Sequence, residues 1–210
     1  MKKTNLHDNS KEKEILLGVV IQNNLKWSSQ IELLCGKLKK RIAVLDRLRK
    51  ILPKRNKKII VEGLFNSVLC YCLPLFGGCS VADLDSLQVL QNSAARIVLN
   101  FPSRSNRDQM FNELLWLTVR QLVTYNTLVL IYRIRRSNEP EYLAQCFHHE
   151  NINGNIVIKN IRLELYRNSF VFRGSLLWNK LPEDIKKEQS IRRFKEKTRS
   201  WTLGNVERFF

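Results

Sequence analysis

Carboxylates are what this sequence has least of relative to their partners. Nineteen Asp and Glu stand against 36 Lys and Arg in 210 residues, and no two aspartates are adjacent. Two-metal phosphoryl transfer needs acidic side chains on rigid elements that share the ions. The nearest approach is Asp83-x-Asp85, at the start of a candidate helix, where carboxylates offset the dipole and cap free N–H groups. Histidine is also scarce: there are three, and His7 lies in a polar lead-in. No Gly-x-Ser-x-Gly elbow, Walker-type phosphate loop or Gly-x-Gly-x-x-Gly turn occurs. The single Gly-Gly, Gly77–Gly78, reads as the end of a helix. The chain's own residues therefore point to no catalytic residue, no cofactor and no complete enzyme.

Long apolar runs are absent as well. A membrane-crossing helix needs about 18 such residues, and patches such as Leu128–Tyr132, followed at once by Arg133, fall far short of that. The basic start, Met1–Glu14, is not followed by the apolar stretch of a signal peptide. Five scattered cysteines then imply reduced thiols and a nuclear or cytoplasmic setting. Cys70-x-Cys72 with Cys79, and Cys146-x-His148-His149, contain ligand-type residues at no common finger spacing. Packing as small hydrophobes is the favoured reading and a zinc site the alternative.

What is present is helical. With 44% hydrophobic and 26% charged residues, 8 Gly and 5 Pro, the chain can bury one sizeable core or two small ones. The expected fold is mainly α, with a short β element at the N-terminal end and a small mixed C-terminal tail. Residues 1–28 read as a lead-in plus a strand and turn at Gln22–Asn24, followed by a second short extended piece. Residues 29–147 read as a helical body and 148–210 as the tail.

Within the body, Ile31, Leu34, Leu38, Ile42, Leu45, Leu48 and Leu52 recur at threes and fours, predicting one helix that ends near Pro53. A second helix over about 57–73 is expected to bury Ile60, Leu64, Ser67, Val68 and Tyr71. Ser80 with Asp83 forms a capping box for a third helix carrying Leu84, Leu87, Leu90, Ala94 and Val98. Helices are predicted at 108–117 and 119–136, and Glu139-Pro140-Glu141 starts a short one, with proline suited to its first turn. In the tail, Ile156–Tyr166 and Ser169–Gly174 read as extended, and Ser190 caps a last basic helix with Ile191, Phe194 and Trp201. The four tryptophans, Trp27, Trp116, Trp178 and Trp201, have faces able to stack on bases. Their apolar neighbours make packing the expectation.

The strongest signal is basic. Net charge is +17, which favours polyanionic partners. Between positions 37 and 58 lie Lys37, Lys39, Lys40, Arg41, Arg47, Arg49, Lys50, Lys54, Arg55, Lys57 and Lys58 against one anion, Asp46. On a helical wheel Lys39, Lys40, Arg47 and Lys50 fall within an arc of about 100°, opposite the leucine stripe. Phosphate contact is the functional reading, and a solvated face is the bland one. A membrane-surface helix is disfavoured, because the apolar stripe lacks interfacial aromatics.

Five stretches in order resemble a known family. "LLGVVIQNNLKWSSQIELLCGKLKKRIAVLDRLRKILP" (Leu16–Pro53) is similar to the segment after the palm in reverse transcriptases of non-LTR (LINE-type) retrotransposons, jockey-like elements especially. "LDSLQVLQNSAARIVLN", "NELLWLTVRQLVTYNTLVLIYRI" and "EPEYLAQCF" resemble the helical region after the thumb. Ser169–Leu203 resembles the C-terminal close of such polyproteins. Gln22 departs from a common acidic residue, and Leu16 from a common aromatic.

The resemblance implies a helical thumb-like bundle that grips RNA, RNA–DNA or DNA duplex backbone beside a palm domain not included here. The family's aromatic-Ala-Asp-Asp turn is missing, so no catalytic residue is assigned, and the chain is expected to begin after the palm. The alternative expectation is a relic or co-opted helical interaction module, with Leu128–Tyr132 as its interface.

Overall fold

The computed structural model describes residues 13–152, 155–159 and 161–205. All of the lead-in read over 1–14 except Lys13 and Glu14 lies outside them, His7 included. The fold is mainly helical, with a two-stranded antiparallel sheet at its N-terminal end.

The sheet is a hairpin of β1 (Lys13–Leu16) and β2 (Val19–Gln22), with Lys13 opposite Gln22 and Leu16 opposite Val19. Its two-residue turn is Leu17–Gly18, both at positive φ (49° and 80°), the conformation that matches strand twist and favours glycine. The sequence reading placed the strand–turn–strand around Gln22–Asn24 instead. A turn does form there, with the Leu25 N–H donating to the Gln22 carbonyl at 2.9 Å. It leads into a helix, however, because the extended partner lies before β2.

Helix α1 (Ser28–Arg47) buries Ile31, Leu34, Leu38 and Leu45. It stops six residues before Pro53, and Leu48 and Leu52 sit half-buried on a turn rather than on the predicted helix. α2 (Lys54–Val61) then runs through a π-helical turn, Glu62–Asn66, into α3 (Ser67–Leu69).

The buried residues of this run are Lys57, Val61, Phe65 and Leu69. Of the expected face, Leu64, Ser67 and Tyr71 are exposed, while Ile60 and Val68 are only half-buried. The cause is geometric. Spacing by strict fours overshoots an α-helical turn by about 40° at each step, and the wider π turn winds the stripe back into line.

After α4 (Leu73–Phe76), which ends at Gly77 as read, comes α5 (Val81–Leu99). The Ser80 hydroxyl accepts from the Asp83 N–H at 3.2 Å and donates to Oδ2 of Asp83 at 2.7 Å. Leu84, Leu87, Leu90, Ala94 and Val98 are all buried. α6 (Arg107–Leu114) is capped by Asn106, and α7 (Val119–Ser137) opens on a capping box between Thr118 and Gln121.

The tail is more helical than its sequence reads. α8 (Glu141–His148), the short helix expected to start at Glu139-Pro140-Glu141, closes the body after Pro140, and in the tail α9 (Glu164–Arg167) and α10 (Phe170–Lys180) follow. α11 (Glu183–Lys186) and α12 (Ile191–Asn205) close the described chain. Over 155–163 the expected strand reduces to one isolated bridge, Glu150 with Ile156, among the described residues. The "SFVFRG" strand is instead the start of α10. Ser169 caps it by accepting from the Phe172 N–H at 3.2 Å, and Gly174, Ser175, Leu177 and Trp178 form its buried face.

Two cores result, and α7 belongs to both. Its Val119 and Val123 join α1, α5 and α6 in the first. Its Leu128, Ile131, Tyr132 and Ile134 join Phe147, Leu177, Trp178 and Phe194 in the second. The Leu128–Tyr132 patch, expected as an interface, is therefore core except for Leu130.

Candidate nucleic-acid interface

The eleven cations of the α1–α2 segment divide into two sets. Five are committed within the fold. Arg41 donates to the Leu64 carbonyl at 2.6 Å. Arg49 donates to the Phe101 carbonyl at 2.7 Å and lies 3.9 Å from Asp46. Lys54 pairs with Glu113, and Lys58 lies 3.9 Å from Glu62.

Lys57 is the most constrained. It is only 3% exposed, and its Nζ donates to Asn100 Oδ1 at 2.8 Å and to the Arg49 carbonyl at 3.2 Å. Burial, with a smaller contribution from Arg49, pulls its pKa below the ordinary lysine value. As a phosphate contact Lys57 is thus corrected: it braces the corner between α1 and α2 from inside.

The remaining six, Lys37, Lys39, Lys40, Arg47, Lys50 and Arg55, are exposed and have no carboxylate partner among the described residues. Lys39, Lys40 and Arg47 lie on α1, away from its leucine stripe. Lys50 departs from the predicted arc because α1 has already ended, and it stands on the turn before α2. Like charges gathered this way repel one another in water, and a polyanion laid across them relieves that repulsion while releasing its own counterions.

Beside this face lies a cleft of about 280 Å³ between the hairpin, α1 and α3, bordered by Gly18, Gln30, Lys37, Arg41 and Tyr71. The Tyr71 hydroxyl donates to the Leu17 carbonyl at 2.7 Å, and the Val20 N–H donates to Gln30 Oε1 at 2.8 Å. The second bond fixes the hairpin to the basic helix, and the first ties its turn to the segment after α3.

Asp83 lies in the first turn of α5, where its carboxylate accepts from the Ser80 cap, and Asp85 pairs with Arg120 at 3.1 Å. Trp116 and Trp178 are buried, and Trp27 and Trp201 pack partly buried against the two cores. Trp116 also donates to Glu62 Oε1 at 2.9 Å. Among the described residues no three His, Cys, Asp or Glu side chains gather to hold an ion. Burial pushes the Cys70 thiol up to about 11 and the Cys79 thiol up to about 12, as for thiols packed like small hydrophobes. Cys146, His148 and His149 are exposed. No single described helix is long and apolar enough to cross a membrane.

Two features escaped the sequence. Asn100 is the side-chain acceptor that fixes Lys57, 43 residues away. Ile51 and Ile59, large apolar residues among the cations, are 72% and 60% exposed; they follow no periodicity, and only their charged neighbours mark them. No family model matches the chain, and neither a curated protein nor a solved structure does.

Proposed function

We propose that the α1–α2 face is a sequence-neutral grip on a nucleic-acid duplex. In this reading the chain is the thumb and post-thumb part of a LINE-type RNA-directed DNA polymerase, with no polymerase chemistry among its own residues. The observation that carries it is the set of six exposed cations without carboxylate partners among the described residues, spread along α1 and the corner to α2 that Arg49 and Lys57 brace. Phosphate contacts position a protein without reading bases, which suits a polymerase that must move along its template and primer.

The test is equilibrium binding to an RNA–DNA hybrid, a DNA duplex and single-stranded RNA across a salt series. Contact with about five phosphates gives a log–log slope on duplex of about −4 to −5. Reversing Lys39, Lys40, Arg47 and Lys50 to Glu should flatten it and remove binding. The same flat slope before and after reversal would refute the grip.

A second reading, a helical protein-interaction module without enzymatic activity, draws on the hairpin. All of β1 is exposed, with Ile15, Leu16 and the turn residue Leu17 in solvent, and an apolar strand edge is a template for pairing with another chain. Sedimentation distinguishes the two. A monomer that binds duplex supports the grip, whereas self-association or partner capture lost on Leu16→Lys supports the module.

A further inference from the structure

The corner between α1 and α2 holds more than charge. Over residues 48–52 the backbone closes on itself, with the Ile51 and Leu52 N–H groups both donating to the Leu48 carbonyl, at 3.1 and 3.2 Å. Lys57 grips the Arg49 carbonyl from below, and the Arg49 guanidinium is tied to the Phe101 carbonyl. Leu48 and Leu52, half-buried, line a small cavity together with Lys57, Ile60 and Ile97. Ile51 alone of the turn's apolar side chains is left outside, 72% exposed, in a stretch that also carries the unpaired Arg47, Lys50 and Arg55.

A lone exposed aliphatic residue usually needs no explanation. This one is β-branched and stiff at χ1. It is mounted on a turn whose backbone is bonded on several sides, and the free cations nearest in sequence flank it before and after. A side chain held in this way loses little freedom on contact.

We infer that Ile51 is an apolar wedge that enters the minor-groove side of a duplex and inserts against a base step, while Arg47, Lys50 and Arg55 hold phosphates on either side of it. The inference rests on the duplex-grip reading and deepens it. Charge complementarity selects a polyanion. An isolated aliphatic wedge flanked by cations is the arrangement by which sequence-neutral proteins partly unstack and bend a duplex. A bilayer is the poorer match, since it calls for a continuous apolar helix face with aromatics, and α2 presents Arg55 and Lys58 beside Ile59.

The measurement uses the full chain and hybrid or DNA duplexes with 2-aminopurine at successive positions, read by fluorescence and by binding across a salt series. The unsubstituted chain should raise the fluorescence of the contacted base. Ile51→Ser should abolish that rise and weaken binding about tenfold at every salt concentration, leaving the salt slope unchanged because no phosphate contact is lost. Ile51→Met should restore most of both.

If Ile51→Ser binds as tightly as the parent with the slope intact, the wedge is wrong and the phosphate grip stands. If the parent shows a flat slope and no duplex binding, both fall together. Binding to phosphatidylserine vesicles in preference to duplex, lost in Ile51→Ser, would overturn the wedge in favour of a membrane contact. The thermal midpoint of each variant should match the parent, since Ile51 packs against nothing in the core.

Discussion

The two cores are built on different terms. The first is mostly aliphatic, filled by leucines, valines and isoleucines from α1, α2, α5 and α7 with a few aromatic rings among them. The second turns on aromatic rings. Tyr132 stacks on Phe194 with centroids 4.0 Å apart, Trp178 lies 6.1 Å from the same ring, and Phe147 meets Phe170 edge-on at 5.6 Å. Arg135 covers Trp178 at 5.0 Å. The α7–α12 packing also buries Thr124, Thr127, Thr198 and Thr202. Burial in the first core is thus spread over many similar side chains, and in the second it converges on one ring. The two should fail differently.

Phe194→Ala tests this most severely. A large cavity in a core costs about 3–5 kcal/mol, and two ring contacts are lost besides. Denaturant unfolding should show a larger loss than for Leu38→Ala, the equally buried position in the first core. Equal losses would erase the distinction.

Glycine packing sharpens it further. A Cβ on Gly78 collides with the Asn168 carbonyl, which is backbone, whereas a Cβ on Gly174 meets the Cδ1 of Ile131 at 2.7 Å, the free end of a side chain. Gly78→Ala should therefore cost near the upper end of about 1–3 kcal/mol, and Gly174→Ala clearly less.

Alkali probes the packing without mutation, through two raised thiols: Cys79 packs against the first core and Cys70 lies beside Asn126 of α7. Cys70 and Cys79 keep their protons in the folded state up to about 11 and 12, above the ordinary value of 9.0. The unfolded chain releases protons first, so stability holds below pH 9 and falls as pH rises from 9 through about 11 for Cys70 and about 12 for Cys79. The Cys70 share is about 2 kcal/mol by pH 11. Lys57 acts in the opposite sense: its lowered pKa adds stability as pH climbs toward 10.5. Cys70→Ala should flatten the alkaline fall.

Smallest of all should be the fourfold reversal of Lys39, Lys40, Arg47 and Lys50, within about 0.5 kcal/mol of the parent. A large loss there would mean that the exposed face supports the first core after all.

What could be read in advance follows the same divide. The α1 and α5 stripes and the Ser80 cap were legible because local periodicity and a local hydrogen bond determine them. The α10 start was misread because Phe170, Val171 and Phe172 look extended in isolation. Their helical character comes from Gly174, Ser175 and Trp178 lying against α7 and α8, contacts remote in sequence. The cationic run was legible as charge, but its division was not: only the fold shows that Lys57 reaches Asn100 and that Arg49 reaches Phe101, while Lys50 has no carboxylate partner among the described residues.

The π turn at Glu62–Asn66 carries a consequence for ancestry. Such a turn behaves as one surplus residue absorbed into a helix. A relative lacking it would be one residue shorter here and would bury positions spaced by mixed threes and fours, in place of the strict fours of Lys57, Val61, Phe65 and Leu69. Deleting Gly63 from this chain should therefore straighten the helix while leaving Phe65 and Leu69 on the core face, so that the length of this segment, more than its composition, is the mark by which kin can be sorted.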